Sequence, residues 1–401
     1  MSEMTAEEAA ARLGVKVATV YAYVSRGVLR SFKVEGSRTS RFDAEEVEAV
    51  ARRGRPRRTS RPQALDLVVE TALTSIGDHE VRYRGLEIGE LARTAAFEEV
   101  AEWLWTGERV GTGSGWEPAP ISPLMPVELE APRDRLRIAV VLASAGDPLR
   151  ADLSPAAVVA RGRSLIATMV GTLASGREGR AARLVLLGST SPRRGTIAGR
   201  LWPRLTTLRP TPGLVSALNA ALVLLADHEL AASTVAARVA ASARADPYAV
   251  VLAGLGPLSG SLHGGASIRA YELLASAAAT APEPALARAL EAHGHLPGFG
   301  HRLYPGIDPR ARVLLELLRD ASPAHPALVT ADRVVAAARR RAGLEPNVDL
   351  ALALLAQVSR MGPDAGEVIF TLARTAGWLA HGLEEYAEAP LRFRARAVAR
   401  S

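Results

Sequence analysis

The 401-residue chain contains no cysteine, which excludes a disulfide scaffold, a thiol nucleophile, thiolate zinc sites and cysteine-ligated iron–sulfur clusters together. Lysine is nearly absent as well. Lys16 and Lys33 are the only two among 49 basic residues, so arginine supplies the rest. Aromatic residues are only 4% of the chain. Long hydrophobic runs are missing: the apolar stretch from Leu214 stops at Asp227, short of the ~20 residues that a bilayer requires. The start MSEMTAEEAAARLG lacks the basic and apolar regions of a secretory signal, and a cytoplasmic protein without a membrane segment is expected. What is present is 48% hydrophobic against 23% charged residues, the balance of a packed globular chain. At this length more than one domain is expected, because single cores stop growing near ~250–300 residues. With thiols excluded, eight histidines are the scarce chemical resource.

The formal net charge of +7 is unevenly placed. Residues 1–62 hold 13 basic and 8 acidic side chains and so carry five of the seven charges. Thr5, with Glu8 three positions later, forms a capping-box pattern that starts a helix ending near Gly14. A second short helix spans Val15 to Ser25, with Val17, Val20, Tyr21 and Val24 expected on its apolar face. Val28–Val34 and Arg38–Phe42 read as a hairpin, and Asp43 as the cap of a third helix. Helix, glycine turn, helix and basic hairpin resemble the winged helix-turn-helix head of MerR or excisionase-type proteins. That resemblance implies that Lys16, Thr19, Tyr23 and Arg26 face a major groove while Arg30, Lys33, Arg38 and Arg41 face phosphates. A solvated module for protein contacts has the same composition. Residues 52–62, rich in arginine and proline, read as a basic linker, which assigns 1–51 to the head and makes DNA a candidate partner of residues 1–62.

From Pro132 onward, alanine, leucine and valine recur at helical spacing. The expected helices are Pro132–Ala143, Ser154–Leu173, Gly213–Leu230, Ala232–Ala243, Ala285–Gly294, Pro309–Asp320, Ala331–Ala342, Val348–Met361 and Asp364–His381. Strand signals after residue 62 are few, with Glu80–Tyr83 the best. The body is expected to be mainly α.

Four polar clusters interrupt these helices. Asp227-His228-Glu229-Leu230 ends an apolar run, where a histidine is either a satisfied core residue or a ligand. In Leu262-His263-Gly264-Gly265-Ala266-Ser267, glycines let the backbone approach a ligand, and a helix opening there would keep the imidazole neutral. Pro297-Gly298-Phe299-Gly300-His301 leads to Asp308-Pro309-Arg310-Ala311, a glycine loop followed by an Asp-capped, Pro-started helix. Asn347-Val348-Asp349 precedes an apolar helix, so Asp349 is either an N-terminal cap or, in a closed cleft, a general base.

In order and spacing these clusters resemble those of citrate synthases. The resemblance runs from about Ser75 to the C-terminus and includes Val81-Arg82-Tyr83-Arg84-Gly85, Ala373-Arg374-Thr375-Ala376-Gly377 and the tail Leu391-Arg392-Phe393-Arg394. It implies a two-domain, all-helical body, with residues 63–263 and 361–401 forming the large domain and 264–360 the small one. It further implies condensation of acetyl-CoA with oxaloacetate through an enol. His263 would donate to the thioester oxygen, Asp349 would take the methyl proton, and His301 would polarise the ketone. His228, Arg310, Arg374 and Arg392 would grip the carboxylates, the last across a homodimer interface. Gly298, Gly300 and Asn347 fall where the family binds coenzyme A. No metal or redox cofactor is implied.

Two alternatives stand beside this reading. One is 2-methylcitrate synthase, using propionyl-CoA; the other is a metabolite-sensing DNA-binding regulator built on the same body. The chain departs from the family pattern at Ala231, Ser261, Ser267 and Phe393.

Overall fold

The computed structural model describes the chain apart from residues 1–2, 14, 16, 26–28, 34–39, 45, 49–67, 78–79, 112–114, 122–128, 130, 174–194, 261–264 and 395–401. Two compact units result, Met1–Glu70 and Thr71–Ser401. The expected linker at 52–62 lies outside the described residues, as do Lys16, Arg26 and Arg38.

In the first unit the capping box forms as the sequence predicts. Thr5 N–H donates to Glu8 Oε2 (2.7 Å) and Glu8 N–H to Thr5 Oγ1 (3.1 Å), opening the helix Ala6–Leu13. The hairpin is present too, with Ser31–Lys33 antiparallel to Ser40–Asp43 and Phe32 opposite Arg41. Asp43 Oδ1 accepts from Glu46 N–H (3.3 Å). An unanticipated strand, Glu3–Thr5, pairs with the other edge of Ser40–Asp43.

The second helix, Val17–Ser25, is rotated from expectation. Val20 and Tyr23 enter a small core with Ala9, Ala10, Leu29, Phe42 and Val47, whereas Val17 and Tyr21 are exposed. Tyr23 therefore does not face outward as a groove-reading residue. A nine-residue helix with apolar side chains nearly all round has no dominant face in sequence, and the neighbouring helix and strand decide which side is buried. Tyr21 instead meets Phe42 edge-on, with ring centroids 6.1 Å apart.

The second unit begins with a small antiparallel sheet in which Val81–Tyr83 pairs with Thr74–Ile76 and with Leu86–Glu87. All nine expected body helices are present, some with shifted ends. Pro326–Ala342 starts earlier than predicted because His325 acts as its cap, Nδ1 accepting from Ala327 N–H (3.2 Å). Pro212–Leu225 stops earlier than predicted, because the Tyr83 hydroxyl meets both the N–H and the carbonyl of Asp227 and Glu229 turns to φ +50°.

Five further helices complete the unit: Ala266–Ala279, which opens after the glycine pair 264–265 as the sequence suggests, and four that were not anticipated, Ile88–Thr94, Phe97–Thr106, Ile197–Leu205 and Pro247–Leu258. Three of these four are of ten residues or fewer, short of three full turns, and Pro247–Leu258 contains Gly254, Gly256 and Pro257. Of the two glycines, Gly254 serves packing, whereas a Cβ on Gly256 would meet nothing within 4 Å. A Cβ on Gly254 would stand 2.5 Å from the Trp378 indole.

Helix Ala365–Ala387 runs through the middle of this unit, buried on nearly every face and packed on Ala232–Ser242, Pro247–Leu258, Pro155–Thr172, Phe97–Thr106 and Pro212–Leu225. Ala266–Ala279, Pro282–His293, Pro326–Ala342 and Val348–Val358 pack chiefly on one another, and Pro309–Ala321 bridges from Val348–Val358 to Pro212–Leu225. One continuous apolar core underlies all of them. Among the described residues no helix is long and apolar enough to cross a membrane.

Candidate active site

The loop bearing His301 is shaped by two glycines with left-handed backbone, Gly298 (φ +80°) and Gly300 (φ +72°). At Gly298 a side chain also lacks room, since a Cβ would lie 3.0 Å from the Leu350 Cβ and 3.1 Å from that of Ala270. The loop is stitched to the segment before helix Val348–Val358. Gly300 N–H donates to the Glu345 carbonyl (2.8 Å), Asn347 N–H to the Gly298 carbonyl (2.9 Å) and Asn347 Nδ2 to the Gly300 carbonyl (2.9 Å). Asn347 also caps the helix, its Oδ1 accepting from Asp349 N–H (3.0 Å). Two segments far apart in sequence are thereby held side by side, one ending in His301 and the other in Asp349.

Asp308 locks a third element onto them. Fully buried, it caps helix Pro309–Ala321 through Arg310 N–H (3.0 Å) and accepts from Val348 N–H (3.1 Å). It also pairs bidentately with the Arg310 guanidinium, at 3.0 Å to Nε and 2.8 Å to Nη2. Burial alone would raise the Asp308 pKa, but Arg310 outweighs it and holds the carboxyl below its ordinary value. The aspartate that reads as a simple cap is thus the joint of three segments.

Arg310 places a cationic centre beside the histidines. Its Nη2 lies 3.4 Å from His301 Nε2. His301 Nδ1 accepts from Leu303 N–H (3.1 Å). Both ring nitrogens thus face an N–H, and a neutral ring can accept at only one. The shorter contact, at Nδ1, leaves the proton on Nε2, with Arg310 close by rather than hydrogen-bonded to it. Burial, then Arg310, lowers the His301 pKa, which keeps the ring neutral. His228 lies edge-on to His301 with centroids 5.4 Å apart. Its pKa falls well below the ordinary value, first by burial and then through Arg310, Arg374 and His301. Tyr304 stacks on His301 at 4.6 Å, and its hydroxyl is 2.8 Å from His228 Nε2.

Arg374 comes from the central helix. It is 1% exposed, donates from Nε to the Leu225 carbonyl (2.9 Å) and lies 4.6 Å over the Phe370 ring. Among the described residues no carboxylate forms an ion pair with it, and burial lowers its pKa to about 10. One turn onward, Gly377 lets the helix pass Ala226 and Asp227, since a Cβ there would collide with the Ala226 carbonyl oxygen. Asp349 is half-buried at the rim of the same region. Desolvation raises its pKa to about 6, against the pull of Arg310.

His228, His301, Asp349, Arg310 and Arg374 thus form one cationic, partly dry cluster. Sequence reasoning overlooked Tyr304, although it stands only three positions after His301. It also overlooked Asp227, which is buried against Thr74 and His381, because neither residue type announces its role outside a folded context. Arg392 is placed elsewhere: within the chain it pairs bidentately with Glu385 at 2.7 Å to each oxygen, and its guanidinium lies 5.3 Å over Phe393. His263 lies outside the described residues. A separate cavity of about 390 Å³, walled by Glu98, Glu102, Trp116, Arg163 and Thr196, shares none of these side chains.

Two departures from the family pattern have local accounts. Ser267 is buried with its Oγ 2.7 Å from where a Gly366 Cβ would stand, so it packs directly against that glycine. Ala231 precedes helix Ala232–Ser242 with no side-chain cap.

Neutral imidazole donors beside buried guanidinium groups suit a small polycarboxylate with a polarisable carbonyl. Comparison with known proteins agrees. The profile of the family "Citrate synthase, C-terminal domain" matches residues 119–396, and that of "Helix-turn-helix domain" matches residues 3–55. Citrate synthase 2 of Bacillus subtilis is 31% identical over 348 residues, covering 81% of this chain and 92% of its own length. The citrate synthase of Haloferax volcanii is 32% identical over 344 residues, covering 80% and 90%.

Among solved structures, citrate synthase from Pyrobaculum aerophilum superposes with a TM-score of 0.69 at 23% identity, covering 92% of this chain and 94% of its own. That of Thermotoga maritima gives 0.67 at 22%, covering 83% and 93%; at such identity these two show the shared fold. The chain therefore belongs to the citrate synthase family, as a citrate synthase-type enzyme with a helix-turn-helix domain at its N-terminus.

Proposed function

We propose that the chain condenses acetyl-CoA with oxaloacetate to give citrate and coenzyme A. Asp349 takes a proton from the thioester methyl group while His263 donates to the thioester oxygen, which produces the enol. The enol carbon attacks the ketone carbon of oxaloacetate, and His301 Nε2–H donates to the ketone oxygen as charge develops there. Water then cleaves the citryl thioester and releases coenzyme A. His228, Arg310 and Arg374 hold the carboxylates, joined by Arg392 of a second copy in a homodimer. Gly298, Gly300 and Asn347 lie along the coenzyme A path. Closure of the smaller domain, residues 264–360, would keep water out until both substrates are bound. None of these steps calls for a metal or redox group.

The observation that carries this reading is the carboxyl of Asp349, raised to about 6, in one cluster with a neutral His301 and a buried Arg374 that forms no ion pair among the described residues. The solved ternary complex of the Thermoplasma acidophilum citrate synthase with carboxymethyl coenzyme A and oxaloacetate, a fold relative with a TM-score of 0.63 at 22% identity, lends the substrate pair. A thiol reagent added to protein, acetyl-CoA and oxaloacetate should report free coenzyme A only when both substrates are present. Release no greater than that of Asp349→Ala and His301→Ala would refute the reading. Propionyl-CoA belongs in the same assay, since one methylene in a pocket changes kcat/KM by only ~1–3 kcal/mol. A higher value for propionyl-CoA would reassign the chain as a 2-methylcitrate synthase.

The helix-turn-helix match supports a second activity of the same molecule, DNA binding through residues 1–62. In the head, Arg30 is exposed and Arg41 half-buried. Duplex affinity of the full chain should fall linearly on a log–log plot as salt rises, by the release of counterions. Removal of residues 1–62 should abolish binding while coenzyme A release continues; unchanged binding would reject a DNA-reading head.

A further inference from the structure

We propose that Tyr304 is the positioning residue of this site, setting His228 through its hydroxyl and His301 through its ring. This rests on the reading of the two histidines as oxaloacetate donors. Tyr304 is 3% exposed, its hydroxyl lies 2.8 Å from His228 Nε2, and its ring stacks on His301 at 4.6 Å with an interplanar angle of 30°. One aromatic side chain therefore touches both imidazoles, which meet each other edge-on at 84°.

The direction of the hydrogen bond follows from counting donors. A phenol carries one proton and must place it on an acceptor when buried. Among the described residues the Tyr304 hydroxyl has no partner other than His228 Nε2. Burial raises the Tyr304 pKa, so the proton stays on oxygen, and burial keeps His228 neutral. Tyr304 thus donates to Nε2, and the remaining proton of His228 sits on Nδ1. That leaves Nδ1–H as the donor of His228 and Nε2–H as the donor of His301, whose Nδ1 already accepts from Leu303 N–H.

The stacking limits rotation of the His301 ring, which the Leu303 contact at one nitrogen does not do alone. A hydroxyl on a rigid ring suits this task because it has few rotamers to lose. Without the hydroxyl, His228 would divide between two tautomers, and only one presents the useful donor. Without the ring, His301 would keep its tautomer but lose its plane.

Two variants separate these effects. Tyr304→Phe should raise KM for oxaloacetate by roughly 3- to 10-fold, the worth of one hydrogen bond, with kcat and KM for acetyl-CoA unchanged. Tyr304→Leu should lower kcat as well, because the His301 donor acts on the developing oxyanion. In a His228→Gln background the further change Tyr304→Phe should add nothing. A readout independent of turnover is 15N NMR of the imidazoles, with His228 assigned by its loss in His228→Gln. The wild-type chain should show His228 protonated at Nδ1, and Tyr304→Phe should shift it toward a mixture. An unchanged His228 signal in Tyr304→Phe overturns the proposal whether or not the chain releases coenzyme A. So does a Tyr304→Phe variant that melts lower but keeps every kinetic constant. Loss of coenzyme A release by the wild-type chain with the NMR shift retained would instead overturn the reading of the site and leave the role of Tyr304 standing.

Discussion

Asp349→Asn is expected to lower kcat by roughly 10²- to 10⁴-fold, the usual contribution of a positioned general base, with the fold intact. Asparagine preserves the size of the side chain and the backbone N–H that donates to Asn347 Oδ1, so helix Val348–Val358 should keep its cap. The wild-type pH profile supplies an independent check. A base works as the carboxylate, so activity is lost as protonation sets in. An ordinary aspartate would confine that loss to very acidic solution, but desolvation has raised Asp349 from 3.8 to about 6. The acid limb of kcat/KM should therefore fall near pH 6, and a limb below pH 5 would show that Asp349 is not the base. The same shift has a stability consequence of definite sign. A carboxyl whose folded pKa exceeds its unfolded one disfavours the folded state increasingly as pH rises from the unfolded to the folded value. The asparagine variant should accordingly melt above the wild type at pH 7 and together with it below about pH 4, as scanning calorimetry at the two pH values would show.

Arg374→Met is expected to weaken oxaloacetate binding by about 2–5 kcal/mol, or roughly 30- to 5,000-fold, the range for truncating one side of a buried charge pair. Without substrate, the arginine is nearly fully buried, donates to the Leu225 carbonyl and has buried Asp227 as its nearest source of negative charge, although no ion pair joins the two among the described residues. Desolvating a guanidinium whose counter-charge is not in ion-pair contact is costly, and Asp227 keeps His381 and Thr74 as direct partners when the arginine is replaced by an apolar side chain of similar length. The variant should thus hold or raise its melting temperature in the absence of ligand, and lose the additional stabilisation that saturating oxaloacetate gives the wild type. A lower melting temperature with an unchanged KM would make Arg374 a structural residue. Arg310 is not open to the same experiment, because its removal would strand the buried Asp308, which joins three segments.

The features legible in the sequence are those whose physics is local. The Thr5–Glu8 capping box, the Asp43 and Asp308 caps, the proline starts and the glycine loop before His301 all form as read, because each depends on residues a few positions apart. Side-chain facing was less secure. Tyr23 was expected to point outward and is buried, because its short helix is apolar on several sides and the Ala9 and Phe42 environment selects the inner one. The run after Leu214 was expected to continue to Leu230, but the Tyr83 hydroxyl from a distant strand captures the backbone at Asp227. Arg392 was read as a carboxylate clamp by family resemblance, while within one chain it rests on Glu385.

By itself the sequence determined the class of chemistry and the type of architecture. Without cysteine, reactive groups had to be histidine, aspartate and arginine, and the helical spacing after Pro132 required an α body. Tertiary structure alone decided which of those groups act together and in which protonation state. Proximity arises when Asn347 and Asp308 tie separate segments, and the shifts of Asp349, His301 and His228 arise from desolvation by residues remote in the chain. Burial and a neighbour's charge act through space, and no stretch of sequence records either until the chain has folded.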